Sequence, residues 1–169
     1  MKTLYFIRHA KSSWKHTVGD RQRPLKKQGV KDALQVSKLV AQTIVKPQVI
    51  ITSDALRTQS TATYFKDAFE LKNDAFVVNP ELYDFSGQQV MKLIKELKNT
   101  LDCVMLCGHN HAFTSIVNIL GSISINNVPT CGFVAITFDG DKWSEITTGT
   151  TIKTVFPREL KSNYDTKTK

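Results

Sequence analysis

Arg8 and His9 stand directly after the apolar run Leu4-Tyr5-Phe6-Ile7, and Ala10, Lys11, Ser12 and Ser13 follow them. A neutral histidine is a competent nucleophile toward phosphorus, and an adjacent guanidinium can hold phosphate oxygens through paired hydrogen bonds. Alone the pair is a weak pattern, since a strand end meeting solvent would look the same. Two more apolar runs end in comparable groups. Val49-Ile50-Ile51-Thr52 leads into Ser53-Asp54-Ala55-Leu56-Arg57-Thr58, and Val104-Met105-Leu106-Cys107 leads into Gly108-His109-Asn110-His111. Arg57 falls in the first turn of a helix, where the dipole disfavours a cation and calls for an anion nearby. An exposed helix arginine is the plain alternative.

The elements that must position these groups follow from pattern. Four short strands are expected at 4–7, 49–52, 75–78 and 104–107, the first, second and fourth of them buried. Between them, helical periodicity marks 30–44, with Ala33, Leu34, Val40, Ala41 and Ile44, and 86–99, with Val90, Ile94 and Leu97. Ser53 or Asp54 suits the N-cap of a helix that buries Ala55, Ala62, Phe65 and Phe69. A further helix carries Ile116, Ile119 and Leu120. Runs at 132–138 and 143–148 read as closing strands joined across Asp139-Gly140-Asp141. Strands alternating with helices imply a three-layer α/β/α domain with a mostly parallel sheet and helices on both faces. Ligands of such sheets bind at the carboxyl ends of the strands, where Arg8, His9, Arg57 and His109 would meet. Their coincidence at three strand ends is the argument.

At 169 residues, 41% hydrophobic and 22% charged, the chain suits one soluble domain, drawn as 1–156 with a polar, basic, loosely held tail at 157–169. Only five apolar or near-apolar residues separate Lys2 from Arg8, too few for a signal peptide, and no run approaches a membrane span. A cytoplasmic location is the expectation. The three cysteines do not suggest a disulfide framework. Cys103 and Cys107, about 13 Å apart on one strand face, are too distant to bridge and read as buried thiols. The formal charge of +8 comes from dispersed lysines without a nucleic-acid motif, so it points to acidic or phosphorylated partners instead.

Arg8-His9-Ala10, Ser53-Asp54-Ala55-Leu56-Arg57-Thr58 and Gly108-His109-Asn110 resemble the motifs of the histidine phosphatase superfamily, of phosphoglycerate mutase-like fold. Asp20-x-x-Arg23-Pro24-Leu25-x-x-x-Gly29 and the compact size resemble its SixA branch, the phosphohistidine phosphatases. The resemblance implies two-step phosphoryl transfer without metal or cofactor. His9 would take the phosphoryl group and water would release it, while Arg8, Arg57 and His109 stabilise its oxygens. Ser12 takes the place of a phosphate-contacting hydroxyl in many relatives. Lys15 replaces an asparagine of mutase-like members, which speaks against mutase activity. Arg23 either binds substrate or pairs with Asp20.

Many relatives carry a glutamate that protonates the leaving group. Glu81 is the nearest candidate here and Asp84 the second, each with a solvated loop carboxylate as its simpler role. An alkoxide leaves badly without a proton, whereas imidazole leaves more readily, so a site poor in acid suits phosphohistidine. No long insertion roofs the pocket, and a protein-borne substrate is expected to reach it. His111, where relatives often have proline, and His16 read as surface residues, and Trp14 reads as a packing residue rather than a substrate platform. The leading expectation is a phosphohistidine phosphatase acting on a protein. The alternatives are a small-molecule phosphomonoesterase and a non-catalytic phosphate-binding module. A metal-dependent hydrolase finds no HExxH or paired-aspartate pattern.

Overall fold

The computed structural model describes residues 1–165. Six strands form one sheet: β1 (Lys2–Arg8), β2 (Val49–Thr52), β3 (Phe76–Val78), β4 (Cys103–Gly108), β5 (Phe133–Phe138) and β6 (Thr150–Val155). Their order is β3-β2-β4-β1-β5-β6. β1 and β4, β4 and β2, and β2 and β3 pair in parallel, whereas β5 runs antiparallel to both β1 and β6. The helices are α1 (Lys27–Thr43), α2 (Leu56–Ala68), α3 (Gln88–Lys95), α4 (Ala112–Leu120) and α5 (Pro157–Asp165). None among the described residues is long and apolar enough to cross a membrane.

Alternation along β1 divides the core between the two faces of the sheet. Leu4 and Phe6 join Val104, Leu106 and the inner faces of α3 and α4. Tyr5 and Ile7 join Met105, Cys107 and the inner faces of α1 and α2. Because both faces are covered, the central strands are unbroken apolar runs, as buried parallel strands must be. The three-layer, mostly parallel architecture expected from the sequence is the one observed. Cys103, Cys107 and Cys131 are buried free thiols.

Three expectations need correction. The second closing strand is β6, not 143–148. Trp143 instead enters a short 3-10 turn (Trp143–Glu145) and is fully buried. Its indole Nε1 donates to the Leu101 carbonyl (2.8 Å), and its backbone N–H to Asn99 Oδ1 (3.0 Å). Burial of this ring takes the chain away from β5, and β6 begins only after Gly149. A Cβ on Gly149 would lie 2.2 Å from the Thr137 carbonyl oxygen. Second, Leu34 is exposed, and the α1 stripe runs through Ala33, Val36 and Val40 instead. Third, the expected loose tail begins with a helix. In α5, Leu160 packs on the α1–α2 side of the core, and Lys161 Nζ lies 3.6 Å from the buried Asp32 carboxylate. The remainder of the 157–169 segment, 166–169, lies outside the described residues.

Candidate active site

Parallel pairing brings the ends of β1, β4 and β2 side by side, so each delivers its next residue to one cleft. The His9 N–H donates to the Gly108 carbonyl (3.1 Å), and the Ser53 N–H to the Cys107 carbonyl (3.1 Å). α2 adds Arg57 from its first turn, and the Thr61 hydroxyl on the same helix accepts from the Ala10 N–H (2.9 Å). The connection from β1 to α1 folds back on itself through a Ser12–Leu25 bridge. It carries Ser12, Trp14, Asp20 and Arg23 to the rim of an open cleft of about 630 Å3, with Arg8, His9, Lys11, Lys26, Arg57, Tyr83, Phe85 and Asn110 among its lining.

The His9 ring is fixed in a definite tautomer. Nδ1 lies 2.8 Å from the Ala10 carbonyl oxygen, which can only accept, so Nδ1 carries the proton and Nε2 keeps its lone pair. Burial pushes its pKa down to about 3, opposed by the Ala10 hydrogen bond and reinforced by Arg57, Arg8 and Arg23. His9 is therefore neutral near pH 7.

His109 sits behind it, with ring centroids 5.4 Å apart. Its Nδ1 accepts from Arg57 Nη2 (3.4 Å), which leaves Nε2 to donate to Ser53 Oγ (2.8 Å). Ser53 Oγ is 2.5 Å from Thr58 Oγ1, which donates onward to the Ala55 carbonyl (2.9 Å). Tyr83 and Phe85 roof the ring at centroid distances of 5.2 and 5.0 Å. Burial, together with His9 and Arg57, pushes the His109 pKa down to about 3.

Asp20 is the hub of the cations. Its Oδ2 accepts from Arg57 Nη2 (2.9 Å) and from the Tyr83 hydroxyl, its Oδ1 from Arg23 Nε (3.0 Å), and its carbonyl from Arg57 Nη1 (2.7 Å). Partial burial raises the Asp20 pKa, but the Tyr83, Arg57 and Arg23 hydrogen bonds outweigh this and hold it well below the usual carboxylate range. This is the anion that a first-turn Arg57 calls for. Arg8 Nη1 donates to the Val128 carbonyl (2.9 Å). Two buried side-chain donors have no acceptor among the described residues, Arg8 Nε and Arg57 Nε. A buried donor without an acceptor costs about 1–3 kcal/mol, which an anion held between these guanidinium groups would offset.

Arg8, His9, Arg57 and His109 thus come together as expected. Ser12 joins them, but its hydroxyl accepts from Arg23 Nη1 (2.6 Å). Arg23 lines the cleft and also pairs with Asp20. Glu81 does not come to the cleft. It is exposed and lines a separate cavity of about 560 Å3 with Val77, Leu97 and Lys98, because β3 at the sheet edge leads it away. Asp84 is occupied elsewhere, accepting the N–H groups of Ser86, Gly87, Gln89 and Val90 at the start of α3. Lys15, His16 and His111 are exposed and outside the cleft lining. Trp14, expected to pack, is 76% exposed. Asp20, Tyr83 and Phe85 were not recognisable as site residues. The one signal for Asp20 is its three-residue spacing to Arg23. No group of three or more His, Cys, Asp or Glu side chains among the described residues is placed to hold a metal ion.

The family model of the histidine phosphatase superfamily (branch 1) matches residues 4–87, a span that includes Arg8, His9 and Arg57. An uncharacterised chloroplastic protein of Arabidopsis thaliana is 28% identical over 155 residues, spanning 85% of this chain and 70% of the relative. The fold is shared with an Agrobacterium tumefaciens protein assigned as a phosphohistidine phosphatase SixA. That structure has TM-score 0.77 and 23% identity, with 92% of this chain and 98% of that one covered. A protein histidine phosphatase SixA complexed with tungstate matches with TM-score 0.78 and 20% identity, over 94% and 99% of the two chains. A mycobacterial glucosyl-3-phosphoglycerate phosphatase matches with TM-score 0.67 and 13% identity, over 90% and 98%. Residues 4–87 thus match the histidine phosphatase superfamily, and the whole chain has the phosphoglycerate mutase-like α/β fold of these neighbours. The family match supports a phosphatase.

Proposed function

We propose that this protein is a metal-independent phosphatase that carries the phosphoryl group on His9 and acts on phosphohistidine borne by a protein. The observation that carries this reading is the His9 ring, neutral and with Nε2 free, among the guanidinium groups of Arg8, Arg23 and Arg57. Nε2 attacks phosphorus, the bond from phosphorus to the leaving nitrogen breaks, and the electron pair departs with the leaving group. Water then attacks the phosphoryl-His9 and releases phosphate. Arg8 and Arg57 stabilise charge on the equatorial oxygens, and His109, held by Ser53, positions the Arg57 guanidinium through its Nδ1.

The substrate class follows from the acids. The one carboxylate lining the cleft among the described residues is Asp20, engaged by Arg57, Arg23 and Tyr83 and held ionised. An alkoxide leaving group would find no carboxylic acid there, and a general acid is worth about a hundredfold or more in rate. Imidazole, protonated from solvent, needs none.

The test compares a histidine-phosphorylated protein with a panel of small phosphomonoesters, in chelator, with His9→Ala as control. The reading expects kcat/KM for the phosphohistidine protein to exceed that for the esters by about a hundredfold or more, the size of the missing acid. His9→Ala abolishes turnover. Comparable ester hydrolysis would make this a small-molecule phosphatase, as the mycobacterial neighbour's name describes that protein. Full activity in His9→Ala, or its loss in chelator, overturns the mechanism.

A further inference from the structure

Trp14 is out of keeping with its surroundings unless it meets a ligand. It is 76% exposed, yet its ring is held in place, with the Arg23 guanidinium carbon 3.5 Å from the ring centroid. Arg23 is itself only 7% exposed and is fixed by its bonds to Asp20 and Ser12. The indole is thus covered in part by an immobile cation, is otherwise exposed, and lines the same cleft as His9. The other exposed aromatic of the cleft, Phe85, is already engaged with Tyr83 and His109, at 5.0 Å from each. An exposed indole lining the same cleft as a phosphoryl-accepting nitrogen suits a flat ring attached to the phosphorus.

We propose that Trp14 is the leaving-group platform of this site, stacking the imidazole of a phosphohistidine and selecting ring-borne P–N substrates over phosphates on saturated alcohols. The inference rests on the phosphohistidine reading above and adds the residue that enforces it. In the reaction, a solvent proton adds to the ring nitrogen not bonded to phosphorus. His9 Nε2 forms the new N–P bond, the old one breaks, and its electron pair stays on the ring, which leaves as neutral imidazole. Before departure the protonated ring is a flat cation, and tryptophan is the strongest aromatic partner for one. Stacking therefore favours the protonated form, the one that leaves without a general acid. On the far face, the charge of Arg23 is offset by Asp20. A sugar phosphate gains none of this.

The experiment compares wild type, Trp14→Ala and Trp14→Phe on phosphoimidazole and on phosphoramidate, two P–N compounds of which the first alone carries a ring. Trp14 contributes little to the core, so both variants fold. The ratio of kcat/KM for phosphoimidazole over phosphoramidate falls about tenfold in Trp14→Ala, the scale of one stacked ring, and Trp14→Phe recovers most of it. A ratio unchanged in Trp14→Ala, including an equal fall on both compounds, overturns the platform while leaving the phosphohistidine reading intact. A wild type that fails to hydrolyse phosphoimidazole overturns both.

Discussion

Burial keeps His9 and His109 neutral, and the same burial ties them to stability. Both have folded pKa values of about 3, below the roughly 6.5 of an unfolded histidine. Their contribution is complete above pH 6.5. As pH falls toward 3, the unfolded chain binds protons that the folded one refuses, and stability is lost. The slope approaches about 1.4 kcal/mol per pH unit for each histidine. The depressed Asp20 carboxyl acts in the same direction, but only below the unfolded value of about 3.9. Denaturant unfolding between pH 7 and 5 therefore reports the histidines. Unfolding free energy falls across this window, and His109→Asn removes about half of the slope. A flat profile contradicts the burial of two neutral imidazoles.

At the scale of elements, the site depends on α1 lying against the strand-end loop. A Cβ on Gly29 would sit 2.2 Å from the Lys11 carbonyl oxygen, which also accepts the Lys26 N–H. Gly29→Ala must push α1 off the segment carrying Ser12. We expect a loss of about 1–3 kcal/mol, read as a fall of several degrees in Tm, with weakened kcat/KM. An unchanged Tm would mean that the approach is not tight. The sequence made β1, β2, β4 and their helices legible because each is a short apolar run followed by a periodic one. Arg8, His9, Arg57 and His109 were legible because they stand at the ends of those runs. Asp20, Tyr83 and Phe85 were not, because loop geometry alone brings Tyr83 to Asp20 across 63 positions. Glu81 looked like an acid by type, and its position on the edge beyond β3 is a tertiary fact. Burial of Trp143 displaced β6 for a similar reason, since tertiary packing overrode a local hairpin signal.

For the whole molecule, the sheet order sets the three reactive strand ends side by side, and a net charge of +8 draws anions toward them. Lys11, Lys26, Arg8, Arg23 and Arg57 face the cleft against Asp20, the one carboxylate lining it among the described residues. On the mechanism proposed above, this arrangement holds a phosphoryl group while it passes through His9 Nε2, and that passage is the central claim. The direct measurement is to mix the enzyme with a histidine-phosphorylated protein carrying labelled phosphate, quench rapidly in alkali, where phosphohistidine survives, and map the label. The account predicts a transient labelled enzyme, at up to one phosphoryl group per chain, with the label on His9, decaying to free phosphate and absent from His9→Ala. Label on another residue, or rapid release of phosphate with no labelled enzyme at any time, would contradict it.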